Sequence, residues 1–200
     1  MVAQGMGHLV LMAFLVGGLL VSGHAVAITV NELAPDFTLP STTGEAISLS
    51  QFRGKKMVLI EFYGINFATT CTKNLTARMG DFYAFKDVDV QILGISVDDA
   101  FSQKTFADSL GLLFPVLSDA DAKVTHLYAA EKLLKGGTDM APFMQPGKGM
   151  QLTKDRLIAS QAFFLIDKQG IVRGRWLPGD RNPMASEEIL EMARSLAGKL

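Results

Sequence analysis

The chain has 200 residues, enough for one ordinary domain with a short extra segment. Lys and Arg number 19 against 20 Asp and Glu, a formal charge of −1 that lacks the basic face nucleic acid demands. With 48% apolar residues it can bury a core, which excludes disordered and collagen-like readings, and its single cysteine excludes an internal disulfide or a multi-thiolate zinc site.

No charged side chain other than His8 and His24 precedes Glu32, and no Lys or Arg precedes Arg53. Within that stretch Leu9 to Val21 reads LVLMAFLVGGLLV, and Ala25-Val26-Ala27 places small residues two apart. This is the core and cleavage pattern of a secretory signal peptide over residues 1–27, with residues 28–200 as the exported domain, periplasmic or otherwise extracytoplasmic. The alternative is an uncleaved anchor, which would be the chain's only membrane contact; Gly17, Gly18 and Ser22 interrupt such a span.

Beyond the leader, Met57 to Tyr63 (MVLIEFY) is a short apolar run suited to a strand buried on both faces. After Cys71, apolar residues Leu75, Met79 and Phe82 fall on one face of a helix. Val88 to Val97 reads as a second buried strand, and Phe101 to Leu110 as a helix ended by Gly111. Asp98-Asp99 between them suits helix capping better than cation binding. A short helical stretch, Ala122 to Tyr128, carries His126, the one histidine after the leader, which reads as a packing or surface residue rather than a base.

Leu134 to Leu152 holds Gly136, Gly137, Pro142, Pro146, Gly147 and Gly149, the composition of a long surface loop or insertion. Ala162 to Ile166 is a third buried strand; the turn at 167–170 leads to a hairpin partner, Ile171 to Trp176. Phe163, Phe164 and Trp176 read as core aromatics. Asn182-Pro183 opens a last helix with Ile189, Leu190, Ala193, Leu196 and Ala197 on one face. Alternating strands and helices closed by a hairpin and helix predict an α/β domain, a mixed sheet flanked by helices.

The chemistry centres on Cys71, at the end of the connection Gly64 to Thr70 and in the first turn of its helix. Free N–H groups and the positive end of the helix dipole favour a thiolate there. Lowering a thiol pKa from about 8.5 to about 6 raises the anionic fraction at neutral pH from about 3% to about 90%. Lys73 and Arg78 add positive charge nearby or face solvent. The competing reading is a buried, inert cysteine. Metal-ligand spacing is absent: Asn74 stands where a Cys-x-x-Cys motif needs its second sulfur, and no histidines pair. The Lys148 loop lacks the Ser or Thr of a phosphate-binding loop. No metal, flavin or nucleotide cofactor is implied.

The segments APDFTL (34–39), LSQFRG (49–54), VLIEFY (58–63), FATTCTKNL (67–75), ILGISVD (92–98), FPVLSD (114–119) and FFLIDKQGIVRG (163–174) together resemble a peroxiredoxin, of the alkyl hydroperoxide reductase and thiol-specific antioxidant branch. The resemblance implies a thioredoxin-like fold and a Cys71 that attacks hydroperoxide, becomes a sulfenic acid and is reduced by an external thiol or thioredoxin-like partner. It leaves a homodimer open.

The chain departs from that family at four site positions. Gly64 stands where the family keeps proline, and Ala68 replaces the Thr or Ser whose hydroxyl bonds thiolate and peroxide. Asn74 stands where Glu is frequent, and Gln161 replaces a charge-stabilising Arg. A hydrogen bond to a charged group contributes about 1.5–3 kcal/mol, so losing the Thr and Arg together costs on the order of 10² to 10⁴ in rate. Thr69, Thr70 and Gln161 are the supporting candidates, with Arg156, Arg173 and Arg175 as further sources of a guanidinium. The expected activity is one-cysteine peroxide reduction. The alternatives are thiol–disulfide exchange without peroxidase activity and a binding module on a degenerate site.

Overall fold

The computed structural model describes residues 28–137, 154–177 and 186–198. The leader, the helix start at Asn182-Pro183 and most of the 134–152 insertion lie outside them. In chain order the elements are β1 (Thr38–Pro40), β2 (Ala46–Ser48), β3 (Met57–Phe62), α1 (Thr69–Gly80), α2 (Phe82–Asp87), β4 (Val90–Ser96), α3 (Ala100–Leu110), β5 (Val116–Ser118), α4 (Lys123–Leu127), β6 (Glu131–Leu134), β7 (Arg156–Ala159), β8 (Ala162–Ile166), β9 (Val172–Trp176) and α5 (Ser186–Ala197). A single turn of 3-10 helix covers Leu49–Phe52.

The central sheet has the order β5-β4-β3-β8-β9. Strand β3 pairs in parallel with β4 and antiparallel with β8, so the sheet is mixed, as the sequence pattern predicts. Because a strand alternates its side chains, β3 feeds two cores. Val58, Ile60 and Phe62 face a layer shared with the N-terminal segment and Val124 of α4. Met57, Leu59 and Tyr63 face the layer that takes Leu75 of α1, Phe85 of α2, Phe106 of α3 and Ile189 of α5. Phe163, Phe164 and Trp176 are buried, as expected of core residues. Gly111 ends α3 in the left-handed region at φ 62°, where a residue without a Cβ carries no steric penalty.

Two boundaries differ from the sequence reading. The helix expected to run through Phe82 breaks at Asp81, and Phe82 starts α2 instead. The Gly/Pro-rich insertion is bracketed by strands: β6 and β7 pair antiparallel in the register Lys132↔Ile158 and Leu134↔Arg156. Among the described residues no helix is long and apolar enough to cross a membrane.

In the odd phase of β3, between Leu59 and Tyr63, comes Glu61, with no exposure at all. Its partner is Arg78, which is also buried, contrary to the expectation of a solvent-facing or thiol-flanking charge. The guanidinium Nε donates to Glu61 Oε2 at 3.0 Å, and Nη1 donates to Ser186 Oγ at 2.6 Å at the described start of α5. The same guanidinium lies 5.4 Å from the centre of the Phe163 ring and 5.6 Å from that of Phe85. Burial pushes the Glu61 carboxyl up, and the adjacent guanidinium pulls it back. Removing one member of such a pair leaves an uncompensated buried charge, at a cost of about 3–5 kcal/mol, whereas replacing both with apolar groups is close to neutral. Urea unfolding should therefore show a large loss of stability in Arg78→Met and a much smaller one in the double variant Glu61→Leu/Arg78→Met. Equal losses in the two would mean that the pair is not the source of the effect.

Candidate active site

Cys71 is the third residue of α1, in the first turn as predicted, and it is half-buried. The N-cap of this helix is Ala68, whose backbone has the extended geometry of a cap (φ −66°, ψ 136°) but whose side chain can accept nothing. The position where the related family keeps a hydroxyl is thus also the cap position. A Ser or Thr there would satisfy one first-turn N–H, worth about 0.5–2 kcal/mol to the helix.

The loop leading into α1 is held from outside. Asp98, at the end of β4, is buried and accepts the Asn66 N–H at 2.7 Å through Oδ2. Its other oxygen accepts from Arg156 Nη2 of β7, also at 2.7 Å. Tyr63 Oη donates to the Asn66 side-chain oxygen at 2.9 Å, and Asn66 Nδ2 donates to Ser102 Oγ at 3.0 Å. Next to the anchored Asn66, Phe67 adopts φ 62°, a left-handed conformation that is strained for a side chain of this size. Its ring centre lies 4.9 Å from that of Phe106, with the two planes tilted by 59°. Of the Asp98-Asp99 pair only Asp99 caps α3, accepting from Ser102 N at 2.9 Å; Asp98 instead ties the cysteine loop to β7.

The thiol lies on a cavity of about 210 Å³. Its walls are mostly apolar, from Ile65, Ala68, Leu134, Ile158 and Ala159, with Thr70, Asn74, Lys132, Ser160 and Gln161 supplying polar groups. Of the predicted supporting residues, Thr70 and Gln161 therefore share the pocket with Cys71, while Thr69 is not among its lining residues. The three guanidinium candidates are engaged elsewhere: Arg156 with Asp98, Arg173 with Asp167 and Asn31, and Arg175 with the carbonyl of Ile28. His126 is exposed, 3.0 Å from Glu131, and plays no part in the site. Among the described residues no cluster of three metal-ligating side chains occurs.

Gly64 accounts for the hairpin's position over the thiol. A Cβ built at Gly64 would stand 3.3 Å from the Ala159 carbonyl oxygen, 3.5 Å from Ile158 Cδ1 and 3.8 Å from Cys71 Sγ. Residue 64 and β7 thus meet backbone to backbone, closer than a side chain comfortably permits.

The electrostatics overturn the expected thiolate. Burial is the largest influence on Cys71 and pushes its thiol up; the carboxylates of Asp98 and Glu61 push in the same direction. Backbone N–H groups of Ile65 and Gly64 oppose this shift without cancelling it. Neither carboxylate is legible in the sequence as a neighbour of the thiol, since one lies ten residues before the cysteine in an apolar strand and the other at the end of a different strand.

A model of the AhpC/TSA family matches residues 30–175. The chain belongs to the AhpC/TSA family. It is 31% identical over 151 residues to a Coxiella burnetii chain that carries the name peroxiredoxin bcp, covering 76% of this chain and 89% of that one. Peroxiredoxin Q of Triticum aestivum is 38% identical over 97 residues, 48% of this chain and 44% of the wheat one. Among solved structures, peroxidoxin BcpB from Mycobacterium tuberculosis superposes with a TM-score of 0.66 at 23% identity, covering 84% of this chain and 98% of its own, which establishes a shared thioredoxin-like fold. Within this AhpC/TSA site the charge on Asp98 can be tested apart from its hydrogen bonds. Asp98→Asn keeps an acceptor for the Asn66 N–H and removes the anion. The Cys71 titration, followed by alkylation rate against pH, should move to lower pH in this variant. An unmoved midpoint would take Asp98 out of the thiol's electrostatics.

Proposed function

We propose that this AhpC/TSA protein reduces hydroperoxides through Cys71 and returns to the thiol at the expense of an external thiol. The observation that carries the reading is the placement of the chain's single cysteine sulfur, half-exposed in the first turn of α1, on a largely apolar cavity large enough for a small organic molecule. In the first step the Cys71 thiolate attacks the outer peroxide oxygen. The S–O bond forms, the O–O bond breaks, and the departing alkoxide or hydroxide takes up a proton to leave as alcohol or water. An external thiolate then attacks the sulfenic sulfur and releases water, giving a mixed disulfide that a second external thiol cleaves. A partner must supply both of these thiols, because the chain has one cysteine.

The same geometry sets the rate. Burial and the carboxylates of Asp98 and Glu61 disfavour the thiolate, and Ala68 and Gln161 replace the hydroxyl and guanidinium of the family pattern. The activity therefore climbs as the solution becomes alkaline and the thiolate fraction grows, through and beyond the free-thiol value of about 8.5.

Stoichiometric hydroperoxide followed by mass measurement tests this directly. The expected product is a gain of one oxygen on Cys71, absent in Cys71→Ser, at a rate that rises with pH. Resistance to peroxide combined with ready mixed-disulfide formation would assign the protein to thiol exchange instead. The double variant Ala68→Thr/Gln161→Arg should raise the oxidation rate by on the order of 10² or more. No gain would show that these two positions do not face the reacting oxygens.

A further inference from the structure

The β6–β7 hairpin has an inner and an outer face. Its register places Lys132 opposite Ile158 and Leu134 opposite Arg156, and these four residues share one side because alternate residues of a strand do. That side is turned to the cysteine site: Lys132, Leu134 and Ile158 line the cavity, and Arg156 bonds Asp98. The inner face thus delivers two cations to the neighbourhood of Cys71. Arg156 is neutralised by a buried carboxylate at 2.7 Å, whereas Lys132 has no ion-pair partner among the described residues. Lys132 is exposed to solvent yet belongs to the cavity's lining, and among the described lining residues it is the one cation, in a site whose family arginine is replaced by Gln161.

We propose that Lys132 is a catalytic residue of this site, donating a hydrogen bond and then a proton to the oxygen that leaves when the Cys71 thiolate breaks the O–O bond. The inference rests on the peroxide-reducing reading above. In the step, Sγ takes the outer oxygen with its hydrogen and the O–O electron pair departs with the inner oxygen. That oxygen receives a proton from the Lys132 ammonium, which solvent then replaces. Because Lys132 acts on the leaving oxygen, its removal should slow oxidation by more than any change in the thiolate fraction accounts for.

The test compares the wild-type chain with Lys132→Gln, Lys132→Arg and Lys135→Gln. Lys135 lies on the same hairpin but pairs with Asp155 at 2.9 Å and does not line the cavity, so its loss removes the same charge from elsewhere. Each protein receives stoichiometric organic hydroperoxide; the rate of oxygen gain on Cys71 is divided by the thiolate fraction obtained from an alkylation titration. Lys132→Gln should lose about 10- to 100-fold in that normalised rate, Lys132→Arg should recover most of it, and Lys135→Gln should match wild type. Equal losses in Lys132→Gln and Lys135→Gln, or a Lys132→Gln effect confined to the titration midpoint, would overturn the assignment. A wild-type Cys71 that gains no oxygen at any pH would instead overturn the peroxide-reducing reading itself, and the two failures are distinct.

Discussion

A carboxylate inside an apolar core needs a cation, and in this protein that requirement fixes the reactive helix. Glu61 sits in the middle of the central strand with no access to water, so Arg78 must come to it. Arg78, Leu75 and Cys71 are spaced so that they share one helical face. Pinning Arg78 against β3 therefore also sets the rotation of α1 and keeps the sulfur turned toward the sheet. The guanidinium's second contact, to Ser186, couples α5 to the same point. The arrangement has an electrostatic cost: the carboxylate that recruits the helix is one of the two that disfavour the thiolate.

The departures from the family pattern form a connected set once the geometry is known. Ala68 removes the cap and the hydroxyl at one stroke, leaving the first turn of α1 without a side-chain acceptor. Asp98 takes over the task of holding the loop, gripping it by the Asn66 amide and linking it to the hairpin through Arg156. The strain at Phe67 is held by the buried partners on either side of it. The site is thus built to be well located more than to be strongly ionised.

Those features that depend on local sequence were readable in advance. MVLIEFY and AFFLI are apolar throughout because their strands are covered on both sides, and Gly111 marks the end of α3 because the chain turns left-handed there. The position of Cys71 at the loop-to-helix junction followed from the same kind of pattern. What could not be read were contacts between distant segments. β6 and β7 are short, carry Lys132 and Arg156 among their few residues, and flank a glycine- and proline-rich stretch, so they look like loop. Arg78 looks like a surface charge until Glu61 is known to face it. The sign of the shift at Cys71 depends on carboxylates brought in by β3 and β4, and a helix-dipole argument confined to α1 misses both.

The bare backbone at residue 64 and the seating of the second hairpin are two halves of one fit. A ring or a methyl at that position would press on the Ala159 carbonyl, and the strand carrying it also bears the inner-face residues that wall the thiol. A proline at residue 64 would therefore press first on the Ala159 carbonyl, and the wall would have to shift with the loop. Enlarging residue 64 is thus a change to the thiol's wall as much as to its loop.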